Sequence, residues 1–592
     1  MELSLAASLA NCNFTRLLPS KTSISLVASR RASIRPAVLC MAISETSTES
    51  VVRRSANFQP AIWHYDFIQS LRSDYTEESC SQRIDKLKGE VRMMLQKAVD
   101  PLERLELIDV LQRLGLSYHF DEEIQKILES IYDANYGGKI PSNKENIYAT
   151  ALEFRLLRQL GYGVPQEIFN SFRNEQGNFK ASLCDDIKGI LCLYEASFLL
   201  VEGETILEET RDFTTKQLKE YIKQSTDENL TDLVSHALEV PLHWRMLRLE
   251  TRRFIDVYRS REDANPILLE LATLDFNLVQ TSHQEDVKEI SRWWKNTGLG
   301  EKLSFARDRL MESFLWSAGV MFQPQYGYSR RIFTKIFALI TILDDVYDVY
   351  GTLDELELFT NAIERWDTNT IDQLPYYMKI CFLTLHNSIN EIAYDILRER
   401  GVNVIPSLRK VWTDLCRSFL LEATWYHKKH TPTFEEYLQN AWVSVLGPSV
   451  LVHVYLSITN PITEETTRFL EEYPNIIRWS STIFRLANDL ETSEDEIERG
   501  DVSKSLQCYM HETGKSQEES RKYISSLIET TWKKMNKERA VGSSLFQTYV
   551  EIGINLARTA QCMYQHGDGL SVSDRETKDR IQSVLINPIP LR

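Results

Sequence analysis

A stretch near the middle of the chain, Ser329–Gly351, has the sequence SRRIFTKIFALITILDDVYDVYG. Its apolar residues recur every three or four positions, which is the spacing of one face of an α-helix. These residues are Ile332, Ile336, Leu339 and Leu343. Similar spacing returns in the segments 83–98, 102–114, 143–160 and 230–255. The chain has only 22 Gly and 17 Pro among 592 residues, below the usual ~7% and ~5%. Repeated helical periodicity with few turn-forming residues predicts an all-α protein and argues against a many-stranded β fold.

Three carboxylates follow the apolar run of this predicted helix. Asp344 and Asp348 are four residues apart, so they share a helix face, whereas Asp345 is turned by about 100° from Asp344. Adjacent carboxylates repel each other unless a positive group lies between them, and hard divalent cations such as Mg²⁺ prefer oxygen ligands. We therefore predict that Asp344 and Asp348 bind metal and that Asp345 supports them. A solvated acidic helix end is the alternative interpretation of this motif taken alone.

A second oxygen-rich strip lies in the segment 483–496, IFRLANDLETSEDE. Asn488, Thr492 and Glu496 follow each other at four-residue intervals, so they line one side of a helix. Amide, hydroxyl and carboxylate oxygens in a row suit a second hard-cation site. Arg485 precedes Asn488 by three residues, so its guanidinium reaches the same end of the strip.

Upstream of both motifs the chain carries Arg307-Asp-Arg309. Guanidinium groups are the preferred partners of phosphate oxygens, so Arg307, Arg309 and Arg485 would complete a diphosphate clamp around the metals. Trp316 follows Arg309 by seven residues, about two helical turns, and is a candidate wall of the cavity.

Composition excludes several classes of partner. The net charge of −16 makes nucleic acid an unsuitable ligand. Nine cysteines include no CxxC pair, which argues against a zinc ribbon or a redox dithiol. No apolar run reaches the ~18 residues of a membrane helix, so we expect no membrane span.

The amino-terminal segment has a different composition from the rest. Residues 1–44 contain a single acid, Glu2, and are rich in serine. Their basic residues are Arg16, Lys21, Arg30, Arg31 and Arg35. Such a composition is typical of an organelle transit peptide. We predict that residues 1–52 are a plastid transit peptide and that the mature protein lies in the chloroplast stroma.

The motifs together resemble those of a plant class I terpene synthase of the monoterpene synthase branch. DDVYD at 344–348, NDLETSEDE at 488–496 and RDR at 307–309 carry the resemblance, with Arg53-Arg54 followed by eight residues and Trp63. It covers essentially the whole mature chain. It implies a two-domain all-α architecture, with an amino-terminal α-barrel and a carboxyl-terminal class I α-bundle. A polar, helix-breaking segment at 259–266 suggests the boundary, so we predict domains at 53–270 and 271–592.

The same resemblance implies the chemistry. The chain would be a lyase that ionises geranyl diphosphate, releases diphosphate and quenches the rearranged cation to a C10 olefin or alcohol. Three Mg²⁺ ions are implied, with Mn²⁺ as a substitute. Asp344 and Asp348 would hold two of them, and Asn488, Thr492 and Glu496 the third. Arg307 and Arg485 would bind diphosphate. Arg53 and Arg54 would fold the amino-terminal strand over the site and serve isomerisation to linalyl diphosphate. We expect a monomer or a homodimer.

Three alternatives remain at this point. The first two are other class I enzymes, a sesquiterpene synthase or a hemiterpene (isoprene-type) synthase. Leu339 argues against the hemiterpene synthase, because isoprene-forming relatives carry a bulky Phe before the motif at that position. A non-catalytic helical scaffold is the third, but it would not require Asn488, Thr492 and Glu496 in register with Arg485.

Overall fold

The computed structural model describes residues 53–137, 145–499, 502–539, 544–567, 569–570 and 574–591, without the side chains of 77, 494–499 and 544. The predicted transit peptide, 1–52, lies outside the described residues. Within them the secondary structure is helical, and the one strand-like feature is an isolated bridge between Arg173 and Phe179. The all-α prediction is therefore confirmed.

Most of the first nine helices surround a core of their own, whereas the first of them packs on the long helix Pro266–Thr297 and contributes Ile68 to a second core. These nine helices are α1 (Tyr65–Ser70), α2 (Glu77–Lys97), α3 (Pro101–Arg113), α4 (Asp121–Tyr136), α5 (Ile147–Gln159), α6 (Ile187–Ser197), α7 (Thr205–Gln224), α8 (Glu228–Glu239) and α9 (Leu247–Arg259). Apolar residues of α2 to α6 and α9 form one buried cluster, in which Leu87, Leu111 and Phe154 are fully enclosed.

The remaining helices form a larger bundle. They are α10 (Pro266–Thr297), α11 (Leu299–Lys302), α12 (Leu310–Val320), α13 (Gly327–Asp345), α14 (Leu353–Arg365), α15 (Tyr376–Arg400), α16 (Ile405–Lys428), α17 (Phe434–Ser444), α18 (Gly447–Ile458), α19 (Glu464–Glu471), α20 (Asn475–Arg499), α21 (Ser505–Thr513), α22 (Gln517–Glu538), α23 (Ser544–Met563) and α24 (Arg575–Ile581). Helix α13 packs against α10, α12 and α18, and α20 packs against α22 and α23.

Helix α10 belongs to both cores. The Asn265 side chain accepts hydrogen bonds from the first backbone amides of this helix, and Pro266 occupies its first turn, so the sequence starts the helix sharply. Leu271 packs in the first cluster and Ile290 in the second. Both clusters lie in one compact unit, Arg53–Arg592. The predicted boundary at residue 270 falls inside α10, and it stays a prediction.

The junction of α17 and α18 is a break rather than a continuous helix. Leu446 has φ 70°, a left-handed conformation, and α18 starts at the next residue. A side chain at Gly447 would meet the Ser481 hydroxyl at 2.3 Å, so only glycine fits there.

The segment Phe434–Ile458 is long and apolar enough to cross a membrane, but 83% of its apolar window is buried inside the protein. This segment therefore belongs to the hydrophobic core of the protein.

Candidate active site

The carboxylates of the first motif lie where α13 ends. Asp344 and Asp345 are its last residues, and Asp348 follows in a π-helical turn, Val346–Tyr350. All three line a cavity that opens to solvent. The side chains of Asp344 and Asp348 are 36% and 20% exposed, whereas that of Asp345 is 1% exposed. Asp344 and Asp348 therefore present oxygens to the cavity, as the spacing predicts.

Arg307 holds the buried carboxylate in place. Its backbone amide and its Nε donate to the two oxygens of Asp345 at 2.7 and 2.8 Å, and its Nη2 donates to Asp344 at 2.5 Å. Burial raises the pKa of Asp345 to about 6, although the charge and hydrogen bonds of Arg307 act in the opposite direction. Arg307 thus joins the first motif and the cavity wall.

The second motif faces the first from α20. Arg485 and Asn488 line the cavity and are hydrogen-bonded to each other. Thr492 is buried one turn later, and its hydroxyl donates to the Asn488 carbonyl at 3.0 Å. It is not among the described residues that line the cavity. The side chain of Glu496 lies outside the described residues, so the structure brings together only part of the predicted strip.

Two charged residues at or behind this wall escaped the sequence analysis. Lys504 is 4% exposed and lines the cavity, with its Nζ 4.0 Å from Asp348 and 3.7 Å from Glu422. Asp489 is fully buried, forms an ion pair with Arg485 at 2.6 Å and accepts a hydrogen bond from the Tyr437 hydroxyl at 2.8 Å. Neither position has a spacing that marks it, because Asp489 lies within the second motif but outside its four-residue repeat and Lys504 follows the motif by eight residues.

The tandem arginines reach the end of the first motif across 294 to 302 residues of the chain. Arg53 makes two hydrogen bonds to Glu355, at 2.7 and 2.8 Å, and donates to the Tyr350 carbonyl at 3.1 Å. Arg54 donates to the Asp348 carbonyl at 3.0 Å and lies over the ring of Tyr426. Ala56 and Phe58, which follow them, line the cavity. Residues 53–63, a non-helical segment that we call the amino-terminal strand, thus form one edge of the site.

The apolar part of the cavity differs from the expected one. Its lining includes Ile340, Phe484, Tyr564 and Leu570. Trp316 is fully buried behind this layer. Its ring is stacked on that of Phe484, with the ring centroids 4.7 Å apart, and lies edge-on to that of Tyr564, with the centroids 5.8 Å apart.

Trp316 and Leu339 are absent from the described lining, and so is Arg309, which is buried elsewhere. The sequence predicts Trp316 in the wall of the cavity, whereas the structure places it one layer behind the wall. Its role in catalysis stays a prediction. The argument from Leu339 about substrate length stays a prediction, and Arg309 does not line the cavity where a diphosphate clamp would act.

The donor set suits Mg²⁺ bound together with a substrate. Carboxylate oxygens on α13 and an amide oxygen on α20 border the same cavity. No three His, Cys, Asp or Glu side chains converge among the residues that the structure describes. Mg²⁺ is commonly held by one or two carboxylates plus phosphate oxygens rather than by a complete protein cage. The residues present therefore fit a metal–diphosphate complex.

Comparisons with known proteins identify the class. The family model described as "Terpene synthase, N-terminal domain" matches residues 62–238, and "Terpene synthase family, metal binding domain" matches residues 295–534. The chloroplastic myrcene synthase of Quercus ilex is 60% identical, over 100% of both chains. The (−)-alpha-terpineol synthase of Vitis vinifera is 56% identical, over 100% of this chain and 99% of the relative.

Solved structures agree with this result. The crystal structure of a limonene synthase with 2-fluorolinalyl diphosphate superposes with a TM-score of 0.89 at 48% identity, over 91% of this chain and 100% of the other. Isoprene synthase from grey poplar (Populus x canescens), in complex with three Mg²⁺ ions and dimethylallyl-S-thiolodiphosphate, superposes with a TM-score of 0.82. It is 48% identical, over 89% of this chain and 99% of the other.

The chain belongs to the terpene synthase family and has its two-domain all-α architecture. Within this family it is a monoterpene synthase, a plastid lyase that depends on a divalent metal and acts on a prenyl diphosphate. The resemblance inferred from the motifs is confirmed, and the non-catalytic scaffold is excluded.

Proposed function

We propose that the chain converts geranyl diphosphate into a C10 monoterpene by ionisation, rearrangement of the cation and quenching. One observation carries the proposal. Carboxylates of α13 and the cationic side chains of Arg307, Arg485 and Lys504 border the same cavity, whose remaining lining is largely apolar and aromatic. A diphosphate fits the charged end, and a hydrocarbon cation fits the apolar end. The limonene synthase with bound 2-fluorolinalyl diphosphate supports a ten-carbon substrate.

The metal assignment follows from the two motifs. Asp344 and Asp348 would hold two Mg²⁺ ions, and Asn488, Thr492 and Glu496 the third, with Mn²⁺ able to substitute. When bound, the ions supply Lewis acidity that neutralises the charge of the departing diphosphate. The three Mg²⁺ ions in the isoprene synthase structure support this number.

The basic side chains of the site would receive the leaving group. Arg307 and Arg485 border the same cavity, and Lys504 adds a third cation between Asp348 and Glu422. Donors that are already oriented cost no reorganisation when negative charge develops on the diphosphate. Arg307 also neutralises Asp344 and Asp345, so it couples the position of the first motif to the diphosphate.

The remaining residues would protect the cation from water. Phe484 and Tyr564 present aromatic rings to the cavity, and a cation near such a ring gains roughly 0.5–2 kcal/mol. Arg53 and Arg54 hold the amino-terminal strand against the end of the first motif. This placement supports their proposed part in closing the site and in isomerising geranyl to linalyl diphosphate, which permits ring closure.

The test is turnover of three substrates by the purified protein with Mg²⁺. We expect diphosphate release and C10 products by gas chromatography with geranyl diphosphate, and at least ~10-fold lower kcat/KM with farnesyl or dimethylallyl diphosphate. The poplar isoprene synthase makes the dimethylallyl arm necessary. Preferred turnover of dimethylallyl diphosphate would favour the hemiterpene alternative, and preferred turnover of farnesyl diphosphate the sesquiterpene alternative.

A further inference from the structure

Arg309, the second arginine of the RDR motif, has an environment unlike that of Arg307. Its side chain is 2% exposed, and each of its three nitrogens donates to a backbone carbonyl. Nε donates to Leu570 at 2.9 Å, Nη2 to Gln59 at 2.8 Å and Nη1 to Asp308 at 3.0 Å. A planar guanidinium presents its donors in a fixed fork on three nitrogens and can contact several separated carbonyls at once, whereas an ammonium group has its three rotatable donors on a single nitrogen.

The two segments that meet at Arg309 come from opposite ends of the chain. Gln59 directly follows Phe58 in the amino-terminal strand, and Ala56 and Phe58 line the cavity. Leu570 lines the same cavity, together with Tyr564 at the end of the preceding helical segment. The guanidinium therefore lies behind the place where these two parts of the lining join.

This geometry does not suit a diphosphate ligand. Arg307 lines the cavity and contacts Asp344 and Asp345, whereas Arg309 is absent from the described lining. Burial lowers the pKa of Arg309, and the charge of the nearby Glu312 opposes this effect. A guanidinium enclosed in this way among carbonyl oxygens acts on the protein backbone rather than on an anion in the cavity.

We propose that Arg309 is a positioning residue that clasps the amino-terminal strand to the segment at Leu570 and so closes one edge of the cavity. The inference deepens the proposed function, because a closed edge keeps water from the carbocation. It assigns different tasks to the two arginines of one motif: Arg307 faces the reaction site, and Arg309 holds its wall.

Hydrogen–deuterium exchange of the protein without substrate tests the clasp directly. In Arg309→Gln, backbone amides of residues 56–63 and 564–570 should exchange at least ~5-fold faster, while peptides elsewhere keep their wild-type rates. Arg309→Lys, which has one nitrogen, should release at least one of the two segments. Arg400→Gln is the matched control, because Arg400 also bonds several carbonyls, those of Leu456, Ser457 and Thr459, but none of these residues lines the cavity. It should leave both segments unchanged.

Inhibition by inorganic diphosphate with Mg²⁺ separates the clasp from a ligand role. We expect the inhibition constant to stay within ~3-fold of wild type in Arg309→Gln and to rise at least ~10-fold in Arg307→Gln. Acceleration of only one segment in Arg309→Gln overturns the clasp, as does an inhibition constant raised as much as in Arg307→Gln. If Arg309→Gln does not fold, Arg309→Lys decides, and wild-type exchange of both segments in that variant overturns the proposal. The exchange readout needs no turnover, so it remains valid even if the proposed substrate is wrong.

Discussion

The ion pair between Arg53 and Glu355 offers a quantitative test of how the amino-terminal strand supports the site. The pair is bidentate, with side chains 22% and 18% exposed, and Arg53 also lies over the rings of Tyr350 and Tyr377 at 4.7 and 5.0 Å. Glu355 additionally closes the capping box of α14 with Thr352. We therefore choose Glu355→Gln, because glutamine also serves in a capping box, whereas the charge and one of the two oxygens that accept from Arg53 are removed.

The expected size of the effect follows from this geometry. A hydrogen bond to a charged group contributes ~1.5–3 kcal/mol, whereas exposed ion pairs contribute only ~0.2–1 kcal/mol. A bidentate pair that is one-fifth exposed lies between these cases, so we expect a coupling of ~1.5 kcal/mol, close to tenfold in kcat/KM. The pKa of Glu355, which the hydrogen bond from Arg53 and the other partners lower to about 2 despite burial, agrees with a charged pair at neutral pH.

A double-mutant cycle measures this coupling. Arg53→Ala, Glu355→Gln and the double variant are assayed for kcat/KM with geranyl diphosphate and for the free energy of unfolding in urea. We expect the double variant to lose little more activity than Arg53→Ala alone. A coupling below ~0.3 kcal/mol in kcat/KM would refute the reasoning. A coupling seen only in the free energy of unfolding would mean that the ion pair stabilises the fold without supporting catalysis.

Three further predictions concern metal, processing and pH. Asp344→Ala and Asp348→Ala should each lower kcat at least ~100-fold, and chelation should abolish turnover that added Mg²⁺ or Mn²⁺ restores; wild-type rates in both variants would rule out the metal assignment. Removal of residues 1–52 should leave the thermal midpoint and kcat unchanged, and loss of folding would contradict the transit-peptide prediction. Burial lowers the pKa of His453 from 6.5 to about 4. Between these values the unfolded state binds the extra proton, so stability should rise with pH there by up to ~1.4 kcal/mol per unit. His453→Gln should flatten that slope in urea titrations, and an unchanged slope would disprove the contribution.

The placement of the first motif shows what the spacing of residues along the chain can predict about their positions in the site. Four-residue spacing places Asp344 and Asp348 on one face of an α-helix, and both line the cavity even though Asp348 lies in the π-helical turn at Val346–Tyr350. Thr492 obeys the same spacing but is buried against the Asn488 carbonyl. Periodicity thus predicts which side chains share a face, but not how deep a neighbouring helix buries each of them.

Trp316 and Arg309 show the limit of such reasoning more sharply. Both were expected near the reacting groups from their distance along the chain, and both are buried outside the cavity lining that the structure describes. Whether a side chain forms the wall or lies behind it depends on what packs in front, here Phe484 and Tyr564. Those rings come from segments about 170 and 250 residues further along, so no local signal reports them.

The sequence by itself determined the helical class, the two metal motifs and the family, because helical periodicity and motif spacing are local properties of the chain. Only the tertiary structure decided that Arg53 pairs with Glu355, that Lys504 enters the site and that Arg309 turns from it. These contacts join residues that are far apart in sequence, and they exist only once packing of the helices brings the ends of the chain to one cavity.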